Sequence, residues 1–159
     1  MIKYQNFAYG ASSAIMTGLA IIIGLSTTIN AVFNIVTALL IIAVADNFSD
    51  AFGIHLQEES QQVSPKEVTM TTTYNFLARL ITTTILILFI ILLPMTIAII
   101  LSVIYGLIIM ILLSYHIAKV QKVNPYKSAF RHVMLAIAIM VASFIFRELI
   151  TKYASKIVV

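Results

Sequence analysis

The stretch NFLARLITTTILILFIILLPMTIAIILSVIYGLIIMILLSY, residues 75–115, decides the fold because it is almost unbroken apolar sequence. At a rise of about 1.5 Å per residue, a helix of this length is about twice as long as the hydrocarbon core of a bilayer requires. Pro94 lies near its middle, where it removes a backbone donor and disfavours helix in the preceding residue. The stretch therefore predicts two membrane-crossing helices joined by a tight reversal at Leu92–Thr96.

The composition of the whole chain is that of an integral membrane protein. Of its 159 residues, 61% are hydrophobic and only 10% are charged. A soluble domain of this size could not bury so much apolar surface. The absence of cysteine excludes disulfides and thiolate metal sites. The net charge of +4 is explained by orientation in the membrane, so no nucleic-acid partner is expected.

Five apolar segments are predicted to cross the membrane, at about residues 9–26, 31–54, 76–93, 96–115 and 129–146. They lack the alternating pattern of barrel strands, so we expect an all-α helical bundle forming one domain. The polar segment at about residues 56–74 predicts a short cytoplasmic connection. In the first helix, Gly10, Ala14 and Gly18 recur at intervals of four, which favours close packing against a neighbouring helix.

Basic residues fall mainly on one side of this predicted topology. The N-terminal side would carry Lys3, Lys66, Arg79, Lys119, Lys122, Lys127 and Arg131, and the other side Arg147, Lys152 and Lys156. By the positive-inside rule, the N-terminus is predicted to be cytoplasmic and the C-terminus to lie outside or in a lumen. Membrane lipid is therefore an expected partner.

The second apolar segment contains AVADNFSDAFGIH, residues 43–55, in which two aspartates interrupt the apolar sequence. Asp46 and Asp50 are one helical turn apart and share a face, with Ser49 on the same stripe and Asn47 beside it. An aspartate at the centre of a membrane helix costs about 2.5 to 3.5 kcal/mol on insertion scales. These carboxylates therefore require a compensating partner.

Two partners can compensate the aspartates. One is an internal ion pair with Arg79 or Arg131, although both arginines are expected at the membrane surface. The other, which the pattern favours, is a bound cation or protons that exchange with it, because ionisable groups inside a membrane are functional candidates by default. Carboxylate, amide and hydroxyl oxygens suit Mg²⁺, Ca²⁺ or Mn²⁺.

Four further residues are weaker candidates for cation binding. Ser13 and Met16 of the first helix could add an oxygen and a soft sulfur ligand, although a methionine in a membrane helix usually serves packing. Glu58 and Glu59 could gather cations at a cytoplasmic mouth, and the competing interpretation is a solvated helix face.

The run ADNFSDAFGIHLQEES, residues 45–60, resembles the second-helix signature of the vacuolar iron transporter family, an Ala-Asp-x-x-Ser-Met-like segment. YGASSAIMTGLAIIIGLS, residues 9–26, looks like the glycine-rich first helix of that family. ARLITTTILILFIILLP, residues 78–94, and NPYKSAFRHVMLAIAIMVASFIFRELI, residues 124–150, are similar to its third and last helices. The resemblance covers nearly the whole chain, and the order of the motifs carries it.

The resemblance implies a five-helix protomer and a homodimer with a translocation path at its interface. It also implies proton-coupled export of Fe²⁺ or Mn²⁺ from the cytoplasm. Asp46 and Ser49 match the aspartate and the serine of the family's second helix, whereas Asp50 stands where many members have methionine. The acidic ligand of the first helix falls at Ser13 and is missing. The cytoplasmic metal-binding helices found in some members are missing as well, so the chain is expected to be a divergent member.

The predicted function is therefore proton-coupled transport of a divalent cation, in which cation entry displaces protons from Asp46 and Asp50. The alternative is a non-transporting membrane scaffold or metal sensor with the same fold. An enzyme is not expected, because the chain contains neither His-Glu-x-x-His nor Gly-x-Ser-x-Gly. No resident cofactor is expected besides the transported ion.

Overall fold

The structure, a computed structural model, describes the backbone of residues 2–154 and the side chains of residues 7–153. Lys3 and Lys156, which entered the predicted charge asymmetry, lie outside the described side chains. Within the described range the chain is all helical. The elements are α1 (Ile2–Leu25), α2 (Ala31–Ile41), a π-helical segment (Ile42–Asp46), α3 (Asn47–Ser60), α4 (Pro65–Leu92), α5 (Met95–Val120) and α6 (Pro125–Ala154).

Five of the described helical rods are long and apolar enough to cross a membrane. The second of them is made of α2, the π segment and α3, which follow one another without a break, and we call this rod the second span. The predicted all-α membrane bundle is confirmed. The chain is a multi-pass membrane protein.

The polar sequence at about residues 56–74 is mostly helical, and in this it differs from the predicted connection. The second span continues to Ser60 and α4 begins at Pro65, so only residues 61–64 lie outside helix. Proline suits the first position of a helix, and the Ser64 hydroxyl donates to a carboxylate oxygen of Glu67 at 3.0 Å. The change to polar composition therefore marks where the second span and α4 leave the apolar layer. Both helices extend several residues beyond that point.

More lysine and arginine side chains lie at one end of the described bundle than at the other. We call the end that holds residues 61–64 and 121–124 the basic face, and the end that holds residues 26–30 and 93–94 the opposite face. At the opposite face, α4 ends at Leu92 and α5 begins at Met95, so the chain reverses at Pro94.

The centre of the bundle is α1, which makes its most extensive contact with α4. Gly10 allows this approach, because a Cβ atom at that position would lie 2.5 Å from the backbone oxygen of Asn75. Gly18 faces the Leu86 side chain in the same interface, and Ala14 is buried. The predicted small-residue stripe is therefore a packing surface, and it brings α1 and α4 close together beside the second span.

Candidate functional site

The aspartates of the second span contact a guanidinium inside the same protomer. Nη1 of Arg79 donates to Oδ2 of Asp50 at 2.8 Å, and Nη2 donates to Oδ2 of Asp46. Nη1 also donates to the Ser13 hydroxyl of α1 at 3.0 Å. Arg79 therefore links the second span, α1 and α4 through one side chain, and we call Asp46, Asp50 and Arg79 the charged triad.

Arg79 is buried within the protomer, whereas we expected it at the membrane surface. Its residue surface is only 3% exposed, and it sits on the buried face of α4. α4 begins at Pro65, about ten residues earlier than predicted, so Arg79 lies near the middle of the helix and not near its start. The internal ion pair, one of the two predicted ways to compensate the aspartates, is formed with this arginine, whereas no ion pair of Arg131 is seen among the described side chains.

The two carboxylates differ in exposure. The side chain of Asp46 is 51% exposed, and that of Asp50 is 25% exposed. Asp46 is the last residue of the π segment, whose wider turn locally changes the angular spacing of side chains. Asp46 thus reaches Arg79 with one oxygen while half of its side-chain surface faces away from the protomer. π segments of this kind often occur at functional sites.

The other predicted ligands of the second span point in opposite directions. Asn47 is fully buried, and its Nδ2 donates to the backbone oxygen of Phe76 in α4 at 3.0 Å. Its Oδ1 is buried without a hydrogen-bond partner among the described residues. Ser49 is exposed on the outer surface. Asn47 therefore ties the second span to α4, and only Ser49 shares the outward direction of Asp46.

The remaining candidates lie apart from the charged triad, except for Ser13. Met16 packs against the cluster of Ile15, Leu19 and Met110 and lines a cavity between α1, α5 and α6. Glu58 is half-buried and accepts a hydrogen bond from the Thr71 hydroxyl, whereas Glu59 is exposed. The structure thus brings together Asp46, Asp50 and Ser13 of the predicted set, and it adds Arg79.

The charged triad has a surplus of one negative charge when both aspartates are ionised. One guanidinium faces two carboxylates, and both of its contacts use the Oδ2 atoms. Among the described residues, no group of three or more histidine, cysteine, aspartate or glutamate side chains is arranged to hold a metal ion. A single protomer therefore offers an ion-paired, partly exposed carboxylate pair and not a closed metal centre.

No protein-family model matches the chain, and no curated protein matches it.

Proposed function

We propose that the chain is a proton-coupled transporter of a divalent cation that binds at Asp46, on a path between the second spans of two copies. The half-exposed position of Asp46 inside a membrane-crossing helix carries this proposal. An ionised carboxylate that faced lipid would be costly at this depth, so its exposed side needs a positive or polar partner that the described part of the protomer does not supply.

The charge balance of the triad supports the same proposal. Arg79 neutralises one carboxylate, and one negative charge per protomer is left. Two facing copies would together hold two surplus negative charges, which one divalent cation or two protons would balance. Exchange of two protons for one dication is therefore electrically neutral at this site, and a neutral exchange avoids burying net charge in a medium of low dielectric constant.

The outer surface of the second span can accommodate a close helix neighbour. Ala45, Ser49 and Gly53 recur at intervals of four and are exposed, and a Cβ atom added at Gly53 would meet nothing within 4 Å. Small residues at this spacing allow membrane helices to approach closely. Two copies packed along this stripe would place Asp46 beside the same residue of the second copy, away from lipid.

In this proposal Arg79 has a role that the sequence pattern did not indicate. It contacts the Oδ2 atoms of Asp46 and Asp50, and the Oδ1 atoms, which Arg79 does not contact, are the proposed ligands of the cation. The choice of Mn²⁺ or Fe²⁺ and the direction out of the cytoplasm rest on the resemblance to the vacuolar iron transporter family. Glu58 and Glu59 remain proposed as residues that gather cations at the basic face.

The proposal is tested by Mn²⁺ uptake into proteoliposomes with an imposed pH gradient. Asp46→Asn should abolish pH-dependent uptake, because the exposed ligand and its titratable proton are both lost. Glu67→Gln makes the same chemical change at an exposed carboxylate of the first turn of α4 and should leave uptake unchanged. Unchanged flux in Asp46→Asn would refute transport through this site.

A second candidate function, a non-transporting scaffold or metal sensor, is favoured by one observation. Arg79 engages both aspartates within the protomer, which is how a purely structural ion pair is built. Equilibrium binding of Mn²⁺ to the protein in lipid nanodiscs separates the two. Saturable binding that needs Asp46, without flux in proteoliposomes, identifies a sensor, whereas the absence of both binding and flux identifies a scaffold.

A further inference from the structure

A second polar site lies at the basic face, between α1, α5 and α6. It is a cavity of about 450 Å³, and its walls include the hydroxyls of Ser12, Ser114 and Ser128 together with Arg131 and His132. Nδ1 of His132 is buried and has no hydrogen-bond partner among the described residues. The cavity is therefore lined by hydroxyls and basic groups, and one buried ring nitrogen in its wall has no partner in the described part of the chain.

This cavity continues into an apolar groove on the outer surface of α6. The groove, of about 710 Å³, shares Gln121, Ser128 and Arg131 with the cavity. Its apolar walls include Phe130, Met134 and Leu135, whose surfaces are 67%, 47% and 50% exposed. A polar recess thus opens directly onto a lipid-facing channel, with Arg131 at the junction.

The charge around the junction is positive and uncompensated. Lys127 lines the groove beside Arg131, and neither side chain forms an ion pair in the described part of the chain. Among the described residues, no acidic side chain contributes to the walls of the cavity or of the groove. The positive-inside rule explains basic residues at this end of the bundle, but it does not require a hydroxyl-lined recess next to an apolar groove.

We propose that the cavity and groove together bind an anionic phospholipid. Its phosphate lies between Arg131, Lys127 and the Ser128 hydroxyl, and an acyl chain lies along Phe130, Met134 and Leu135. Basic pockets between membrane helices suit anionic headgroups, and the arginine fork matches phosphate oxygens with two parallel hydrogen bonds. A soluble phosphate would use only the polar half of this surface, so the adjoining groove favours a lipid.

The test is lipid retention by the full chain in a non-ionic detergent, measured by native mass spectrometry with added phosphatidylglycerol or phosphatidylcholine. The parent protein should retain phosphatidylglycerol in preference to phosphatidylcholine. Arg131→Gln should weaken phosphatidylglycerol binding by about tenfold or more, the factor expected for a lost hydrogen bond between charged partners. Arg131→Lys keeps the positive charge but loses the planar fork of donors. Its affinity for phosphatidylglycerol should fall between those of the parent and of Arg131→Gln.

Lys66→Gln is the matched control, because it removes one positive charge from the exposed start of α4 on the same face. It should leave retention of phosphatidylglycerol nearly unchanged. Equal losses in Arg131→Gln and Lys66→Gln, or equal retention of the two lipids, would overturn the proposal. Displacement by glycerol phosphate at millimolar concentration would also overturn it and would identify a soluble-phosphate site. If Arg131→Gln fails to fold, Ser128→Ala is used in its place, because it removes one proposed phosphate ligand. This variant should still prefer phosphatidylglycerol to phosphatidylcholine, but less strongly than the parent.

Discussion

Replacing Arg79 with glutamine would remove the cation that contacts both Asp46 and Asp50. The Arg79 side chain is only 4% exposed, so the substitution removes the buried partner of the ion pair. Removal of one partner from a buried pair costs about 3 to 5 kcal/mol. Because the Asp46 side chain is 51% exposed, we expect a loss near the lower limit, about 3 kcal/mol.

The assay is equilibrium unfolding in mixed micelles, followed by circular dichroism, for the parent, Arg79→Gln, Asp50→Asn and the double variant. Since Asp50 is the more buried of the two carboxylates, the double variant should recover part of the loss, with a coupling free energy of about 1 to 3 kcal/mol. Lys66→Gln, an exposed substitution, should stay within about 0.5 kcal/mol of the parent. The reasoning is refuted if Arg79→Gln also stays within about 0.5 kcal/mol, or if the effects of Arg79→Gln and Asp50→Asn are additive.

Two further predictions concern packing within the protomer and between copies. Gly10→Ala should destabilise the protein by about 1 to 3 kcal/mol in the same unfolding assay, because its Cβ would lie 2.5 Å from the Asn75 backbone oxygen. Gly24→Ala, where a Cβ meets nothing within 4 Å, should be neutral or slightly stabilising, and equal effects of the two substitutions would contradict the α1–α4 packing. The natural chain has no cysteine, so Ser49→Cys should give oxidative cross-linking between copies in membranes, whereas Ile108→Cys on the exposed side of α5 should not. Cross-linking at Ile108 alone would place any contact between copies on a different surface.

The helical architecture follows directly from the sequence because the length of the apolar segments determines it. Apolar segments long enough to cross a bilayer must satisfy their backbone groups internally, so they form helices whatever their neighbours are. The break at Pro94 and the small residues Gly10 and Gly18 are equally local signals, since each acts on the backbone at its own position. These features do not depend on how the helices are finally arranged.

The details of the site depend on tertiary arrangement, and the sequence pattern does not contain them. The π segment before Asn47 has no proline or glycine to indicate it. On a regular helix Asn47 lies about 100° around the axis from Asp46, and whether that direction meets α4, where its amide donates to the Phe76 carbonyl, depends on how the two helices pack. The polar residues up to Ser60 remain helical because helix propagation continues beyond the apolar layer.

Of the two arginines predicted as possible partners of the aspartates, Arg79 can be placed at the depth of Asp46 by counting residues from the opposite face. Asp46 lies fifteen residues after Ala31, and Arg79 lies fifteen residues before Pro94. Both therefore lie about 22 Å from the opposite face. In a hydrocarbon core about 30 Å thick, this is about 8 Å from the boundary on the side of the basic face. Charges at equal depth on adjacent helices are expected to pair, because each alone is costly to bury. The two ion pairs give two carboxylates for one guanidinium, and this surplus is why the ion pairing does not by itself account for the half-exposed Asp46.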